Sequence, residues 1–228
     1  ASSSPDTIVQ DCTFTNNHAA SGGALANGLT APRFIRCKFI NNEAEARGGA
    51  VSTGGTMSFS ECFFQNNRTT VAISLGGAIY GERSRTTLVN CVFSGNSALG
   101  DTPDTPTNGG AIYTYGWIMD IEPWSDMQLT VINCTFTNNS AFAGGAMFND
   151  FGMITVKNSI LWNNIPESVV RLSSGFSYPT IANSDIQGGD YLAVSRGYYG
   201  TGNFNADPEF VDPINNDFRL GPGSPCID

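Results

Sequence analysis

Two columns of apolar residues run the length of the chain at a constant distance from each other. One holds Phe14, Phe39, Phe64, Phe93, Phe136, Leu161 and Ile186; the other, five residues upstream each time, holds Val9, Phe34, Phe59, Leu88, Val131, Val156 and Ile181. Two residues before each member of the first column stands a small head residue, Cys12, Cys37, Cys62, Cys91, Cys134, Ser159 or Ser184. Successive heads are 25, 25, 29, 43, 25 and 25 residues apart. Four equal intervals and two longer ones are the spacing of a structural repeat that carries insertions.

From each head to its apolar residue the chain alternates in, out, in, the period of a strand with one buried face. The three-residue step between the upstream column and the head breaks that period, so a bend is predicted at the residue before the head. Asn90, Asn133, Asn158 and Asn183 stand there in the later copies, and Asn suits a bend. Past Ala19, Ala44, Ala98 and Ala141 come Gly-Gly-Ala triplets, at 22–24, 48–50, 76–78, 109–111 and 144–146 along the chain. Glycine pairs permit positive φ or a close backbone approach. The apolar residue after each triplet (Leu25, Val51, Ile79, Ile112, Met147) begins another strand. Each repeat is therefore expected to hold three short strands joined by bends.

A single repeat of this kind cannot bury its apolar side. Stacked repeats set like residues over like at the strand spacing of about 4.8 Å, and each buried Phe or Leu then contributes roughly 1.5–3 kcal/mol. Asn17, Asn42, Asn67, Asn96, Asn139 and Asn164 form a further column, whose amides can hydrogen-bond along the stack. Crossovers between parallel strands are overwhelmingly right-handed. The predicted fold is all-β, a right-handed single-stranded parallel β-helix of about seven coils over residues 8–189. Residues 1–7 are a polar lead-in and residues 190–228 an irregular closing segment.

The F-x-x-N and G-G-A-[ILVM] elements, over roughly residues 8–165, resemble the repeats of chlamydial polymorphic outer membrane proteins and related bacterial surface β-helices. The tail from Asp207 to Asp228 resembles the end segment of many secreted bacterial β-helix proteins. The resemblance implies an extracellular or cell-surface location. It implies little about activity, because the architecture is widely reused. The autotransporter barrel that would anchor such a coil is not expected here.

Composition narrows the function classes. Charged residues make up only 14% of the chain while Gly numbers 26, which suits tight turns between short strands. The net charge is −9, lysine occurs only at Lys38 and Lys157, and no basic run exists to track phosphates. Nucleic acid is therefore not an expected partner. No apolar stretch reaches the length of a membrane helix, so membrane insertion is not expected. The chain opens on Ala1-Ser2-Ser3-Ser4 without Met or an apolar signal region, as a mature product or a trimmed fragment would.

Five cysteines share the inward head column, and the expectation is a ladder of free thiols behaving as small hydrophobes. His18 aligns with Glu43, Arg68, Ser97 and Ser140, a column read as solvent-facing. The longest interval carries two stretches of extra chain on one coil, at 99–108 and 116–128, and long loops on a rigid scaffold are where function concentrates. There Tyr113, Tyr115, Trp117 and Trp124 could stack on sugar rings, and Asp120, Glu122 and Asp126 could hold Ca²⁺ through hard oxygen ligands. Apart from Ca²⁺, no cofactor is expected. Thr87, Thr130, Thr155 and Thr180 form an outward column without the paired flat rows of ice-binding coils. Among the sequons at Asn67, Asn133 and Asn138, Asn67 is read as the reachable glycan acceptor.

Two function classes remain. One is an extracellular structural or adhesive module without chemistry of its own. Its partners would be other copies, which could stack end to end into a filament or stalk, other surface proteins, or glycans. The other is a polysaccharide-binding or calcium-dependent lyase-type β-helix, for which Arg83 and Arg85 are the available bases. Sparse basic residues favour the first, and the chain is read as more a scaffold than an enzyme.

Overall fold

A computed structural model describes residues 7–28, 30–71, 73–100, 107–116, 127–166, 168–171, 180–188 and 200–227. It is a right-handed parallel β-solenoid. The first sheet stacks seven strands, Ile8–Gln10, Arg33–Ile35, Thr56–Ser60, Arg85–Val89, Gln128–Ile132, Met153–Lys157 and Thr180–Ala182. The second stacks seven more, from Thr13–Thr15 to Asp185–Ile186, each following its partner in the first sheet after one bend. Both sheets hold the predicted columns in register, Phe64 over Phe39 and under Phe93, and Leu88 between Phe59 and Val131.

The predicted three strands per coil become four. A short third sheet (His18–Ser21, Glu43–Arg47, Arg68–Thr69, Ser97–Ala98) precedes the glycine corner. After it comes the fourth sheet, Leu25–Asn27, Val51–Thr53, Ile79–Glu82, Ile112–Tyr115, Met147–Asp150 and Val169–Arg171. The inward residues of the third sheet are Ala19, Ala44, Thr69 and Ala98, so it carries no large apolar side chain to announce it.

The corners are left-handed. The residue before each head has φ between 49° and 55°, and it is Asp11, Arg36 and Glu61 in the first three coils and Asn in the rest. A second corner falls on Asn16, Asn41, Asn66, Gly95, Asn138 and Asn163. The third needs both members of its glycine pair. Gly76 sits at φ 69°, and a Cβ on Gly77 would stand 2.1 Å from the Gly110 carbonyl of the next coil. There the backbone approaches too closely for any side chain.

Inside, Phe39, Phe64, Phe93 and Phe136 stack with ring centroids 4.5–4.7 Å apart and meet the second column edge-on. The Asn column forms the predicted amide ladder. Asn67 Nδ2 donates to Asn96 Oδ1 at 2.9 Å, Asn96 Nδ2 to Asn139 Oδ1 at 2.9 Å, and each also donates to a carbonyl of the preceding coil. All six cysteines are free. The head column does more than fill space. Cys91 N–H donates to Cys134 Sγ, Cys134 N–H to Ser159 Oγ, and Ser159 N–H to Ser184 Oγ. Thiol and hydroxyl alike donate to the carbonyl two residues back, which is why Ser replaces Cys in the last coils.

From residue 200 onward the chain adds part of an eighth coil. Gly202 takes the left-handed corner, and Asn203 takes the head position, with Oδ1 accepting Ser184 N–H and Nδ2 donating to Ile181 O. The strands Phe210–Asp212 and Asp217–Leu220 then pair as an antiparallel hairpin. The Asp185 carboxylate ties this segment to the coil by accepting Ala206 N–H at 3.1 Å, with Cys226 Sγ 3.4 Å away.

Candidate functional site

The outward face of the fourth sheet changes character along the stack. Its first outward column reads Ala26, Ser52, Tyr80, Tyr113 and Phe148 in register. The three aromatic rings stack nearly parallel, 5.7 and 5.4 Å apart, and are buried as a second apolar cluster. Where the column drops from Tyr80 to Ser52, the surface steps down into a groove of about 650 Å³. The aromatic ladder ends at that step, and Arg47 closes it, its Cζ 5.1 Å from the centroid of the Tyr80 ring.

Polar contacts hold this end in place. Tyr80 donates its hydroxyl to Glu82 Oε2 at 3.1 Å, and the same oxygen lies 3.5 Å from Arg47 Nη1. Burial pushes the Tyr80 hydroxyl well above its usual range, so it stays a donor at any ordinary pH. Across the groove run Gly54, Gly55 and Thr56, a turn shaped by Thr53 Oγ1, which accepts Gly55 N–H at 3.2 Å. Arg83 and Arg85, both exposed, supply the remaining wall. Among the described residues, Arg47, Arg83 and Arg85 line this groove together with Glu82.

A second depression of about 450 Å³ lies over the third sheet beside the left-handed Asn16, Asn41 and Asn66. Its charges satisfy one another. Arg68 Nε donates to Glu43 at 2.7 Å, and His18 Nε2 lies 3.6 Å from the same carboxylate. His18, Glu43 and Arg68 are in register and solvent-facing as read from the sequence, with no surplus of either sign for a ligand.

The sequence-predicted site residues fare unevenly. Trp117, Trp124, Asp120, Glu122 and Asp126 lie outside the described residues. Tyr113 is corrected as a sugar platform. It is 5% exposed, both faces of its ring are covered by Tyr80 and Phe148, and its hydroxyl donates to Asp150 Oδ2 at 3.2 Å. Burial raises the Asp150 carboxyl, and the Tyr113 hydrogen bond offsets part of that rise. Tyr115 is half-buried between Glu82 and Asp150 in the next outward column.

Asn67 is corrected as a glycan acceptor. It is fully buried with its amide committed to the ladder, whereas Asn133 and Asn138 stand exposed at left-handed corners. Among the described residues no group of three or more His, Cys, Asp or Glu is placed to hold a metal ion. Arg83 and Arg85 do share one groove, as their spacing allowed, and the register adds Arg47 from 36 residues upstream. The signal for Arg47 was its place after the Ala44 column, one coil before Tyr80.

A family model described as the right handed beta helix region matches residues 1–186. No curated protein sequence matches the chain.

Proposed function

The chain belongs to the right-handed beta helix family, and from that architecture we propose that it is an extracellular or cell-surface structural module that adheres through its groove. The observation that carries this reading is the rigid stack, whose continuous amide ladder from Asn17 to Asn164 fixes a charged groove on its outer face. A surface held by inter-coil hydrogen bonds meets a partner without first being ordered, which lowers the entropic cost of contact. The likeness of the F-x-x-N and G-G-A elements to bacterial surface coils supports the location.

The same reading includes end-to-end stacking. Val9 and Phe14 of the first coil are half-buried where Phe34 and Phe39, one coil on, are buried. A further coil seated there, from another copy or from the same polypeptide, would bury them equally. Beads coated with the protein should be retained on cells or on extracellular polysaccharide, above beads coated with an inert protein. Equal retention of the two would overturn the adhesive reading.

A further inference from the structure

We infer that the outer face of the second sheet pairs two copies of this chain side by side about a two-fold axis. From the second coil to the sixth, one outward column reads Lys38, Phe63, Val92, Thr135 and Ile160 in register, with Trp162 beside Ile160. Lys38 is exposed at one end, and the uncharged middle is half-buried by its own stacking and covered by no other element. In the seventh coil the column ends on Asp185, which is buried because Ala206 and Cys226 of the closing segment lie over it. Next to Ala206 stands Asp207, exposed and near enough to Asp185 to interact with it electrostatically. The face is thus cationic at one end, apolar in the middle and anionic at the other.

A two-fold contact sets the same surface against itself in reverse, so its two ends must be complementary. With the axis between the fourth and fifth coils, the second coil of one copy meets the seventh of the other. Lys38 then faces Asp207 of the second copy, Phe63 meets its Ile160 and Trp162, and each contact forms twice. Aromatic side chains of this kind anchor protein interfaces. The second-sheet strands from Lys38–Ile40 to Ile160–Trp162 carry no carboxylate, so two chains of net charge −9 meet there without burying like charges.

The other walls lack this polarity. The strands of the first sheet carry Arg33 and Lys157 but no carboxylate. On the fourth, the outward Glu82 and Asp150 share their column with Tyr115 and no cation. Glu43 and Arg68 of the third satisfy each other. Six strands at about 4.8 Å, each about 16 Å long with its flanking corners, give a footprint of roughly 450 Å² per copy. Burial of roughly 900 Å² by the pair lies at the weak end of specific interfaces, so the dimer is reversible and fills at high concentration.

Sedimentation of the 228-residue chain over a concentration series tests this. A monomer–dimer equilibrium that stops at two is expected. Lys38→Glu and Phe63→Glu should each weaken it about tenfold or more, and thermal melts should show both variants folded. Adding Asp207→Lys to Lys38→Glu should restore pairing. Within one copy these two positions lie about five coils, or about 24 Å, apart, so the rescue acts only between copies.

A monomer at every concentration, a dimer indifferent to folded Phe63→Glu, or a charge swap that restores nothing would each overturn the inference. Assembly that continues past two and ignores both substitutions would be end-to-end stacking, and the lateral pairing would fall. Retention of beads by a wild type that stays monomeric would sink the pairing and leave the adhesive reading standing.

Discussion

Replacing Phe93 by Ala removes the middle of the inner aromatic ladder, and its cost can be worked from the structure. The side chain is fully buried, with Phe64 stacked on one face at 4.5 Å and Phe136 on the other at 4.6 Å. Losing the ring vacates roughly 100 Å³, which at about 24 cal/mol per Å³ contributes about 2.4 kcal/mol if the walls stay put. The transfer term for the lost apolar surface adds roughly 2 kcal/mol. A loss of about 3–5 kcal/mol is expected, in the usual range for Phe→Ala. The walls have little freedom to collapse, because the backbone on either side is fixed by the Asn ladder and the second sheet. Phe63 is the control. It is the adjacent residue in the neighbouring coil, faces outward and pairs in register with Lys38 and Val92. Phe63→Ala should cost less than about 1 kcal/mol. Denaturant unfolding of both variants, read as midpoint shifts at constant slope, makes the comparison. Equal losses would show that the inward and outward registers assigned here are wrong.

Four further outcomes follow from the same structure. Asn96→Leu should cost about 3 kcal/mol or more, since it strands the Asn67 N–H, one Asn67 amide hydrogen and the Phe64 carbonyl, while Asn66→Gly at an exposed corner should cost under about 1 kcal/mol; similar melting shifts would contradict the ladder. In the native protein a thiol reagent should label exposed Cys12 first, leave Cys37, Cys62, Cys91 and Cys134 protected, and reach half-buried Cys226 slowly, burial having pushed its thiol up to about 12; labelling of the four buried thiols at the Cys12 rate would refute the packing. Burial raises the Asp185 carboxyl, so the folded state holds its proton more tightly than the unfolded chain does; stability is fully present below the ordinary aspartate range and is lost as pH rises through the raised value. Asp185→Asn should flatten that decline, and an unaltered profile of melting temperature against pH would dismiss the assignment. Incubation with an acidic polysaccharide should release no unsaturated product with or without calcium, and calcium-dependent release abolished by Arg83→Ala would establish the lyase reading instead.

The two inner columns, the heads and the glycine corners were legible because each places one residue type at one spacing in nearly every coil. The third sheet was not, because its strands bury only Ala and Thr and show no apolar alternation. Asn67 was misread for a related reason. A polar residue in a sequon suggests a surface, yet here the amide is satisfied by its neighbours above and below and sits fully buried. Tyr113 misled in the opposite direction. It points outward, but in a solenoid the outward residues of successive coils also stack, and three aromatics in register bury one another. The eighth coil was hidden because Asn203 replaces Cys or Ser as head, supplying the same acceptor from a different side chain.

The groove follows from this same stacking logic, which decides what kind of recognition it can support. Its step exists only because the outward column changes from Ser52 to Tyr80, and its arginines meet only because adjacent coils bring Arg47 beside Arg83 and Arg85. The chain as a whole is acidic, with 20 Asp and Glu against 11 Lys and Arg. A negatively charged partner is therefore repelled at long range. At a Debye length of about 8 Å in physiological salt the long-range repulsion is largely screened, while contacts within the groove are weakened much less. Contacts in the groove are therefore set by the register of the coils, not by electrostatic steering from afar.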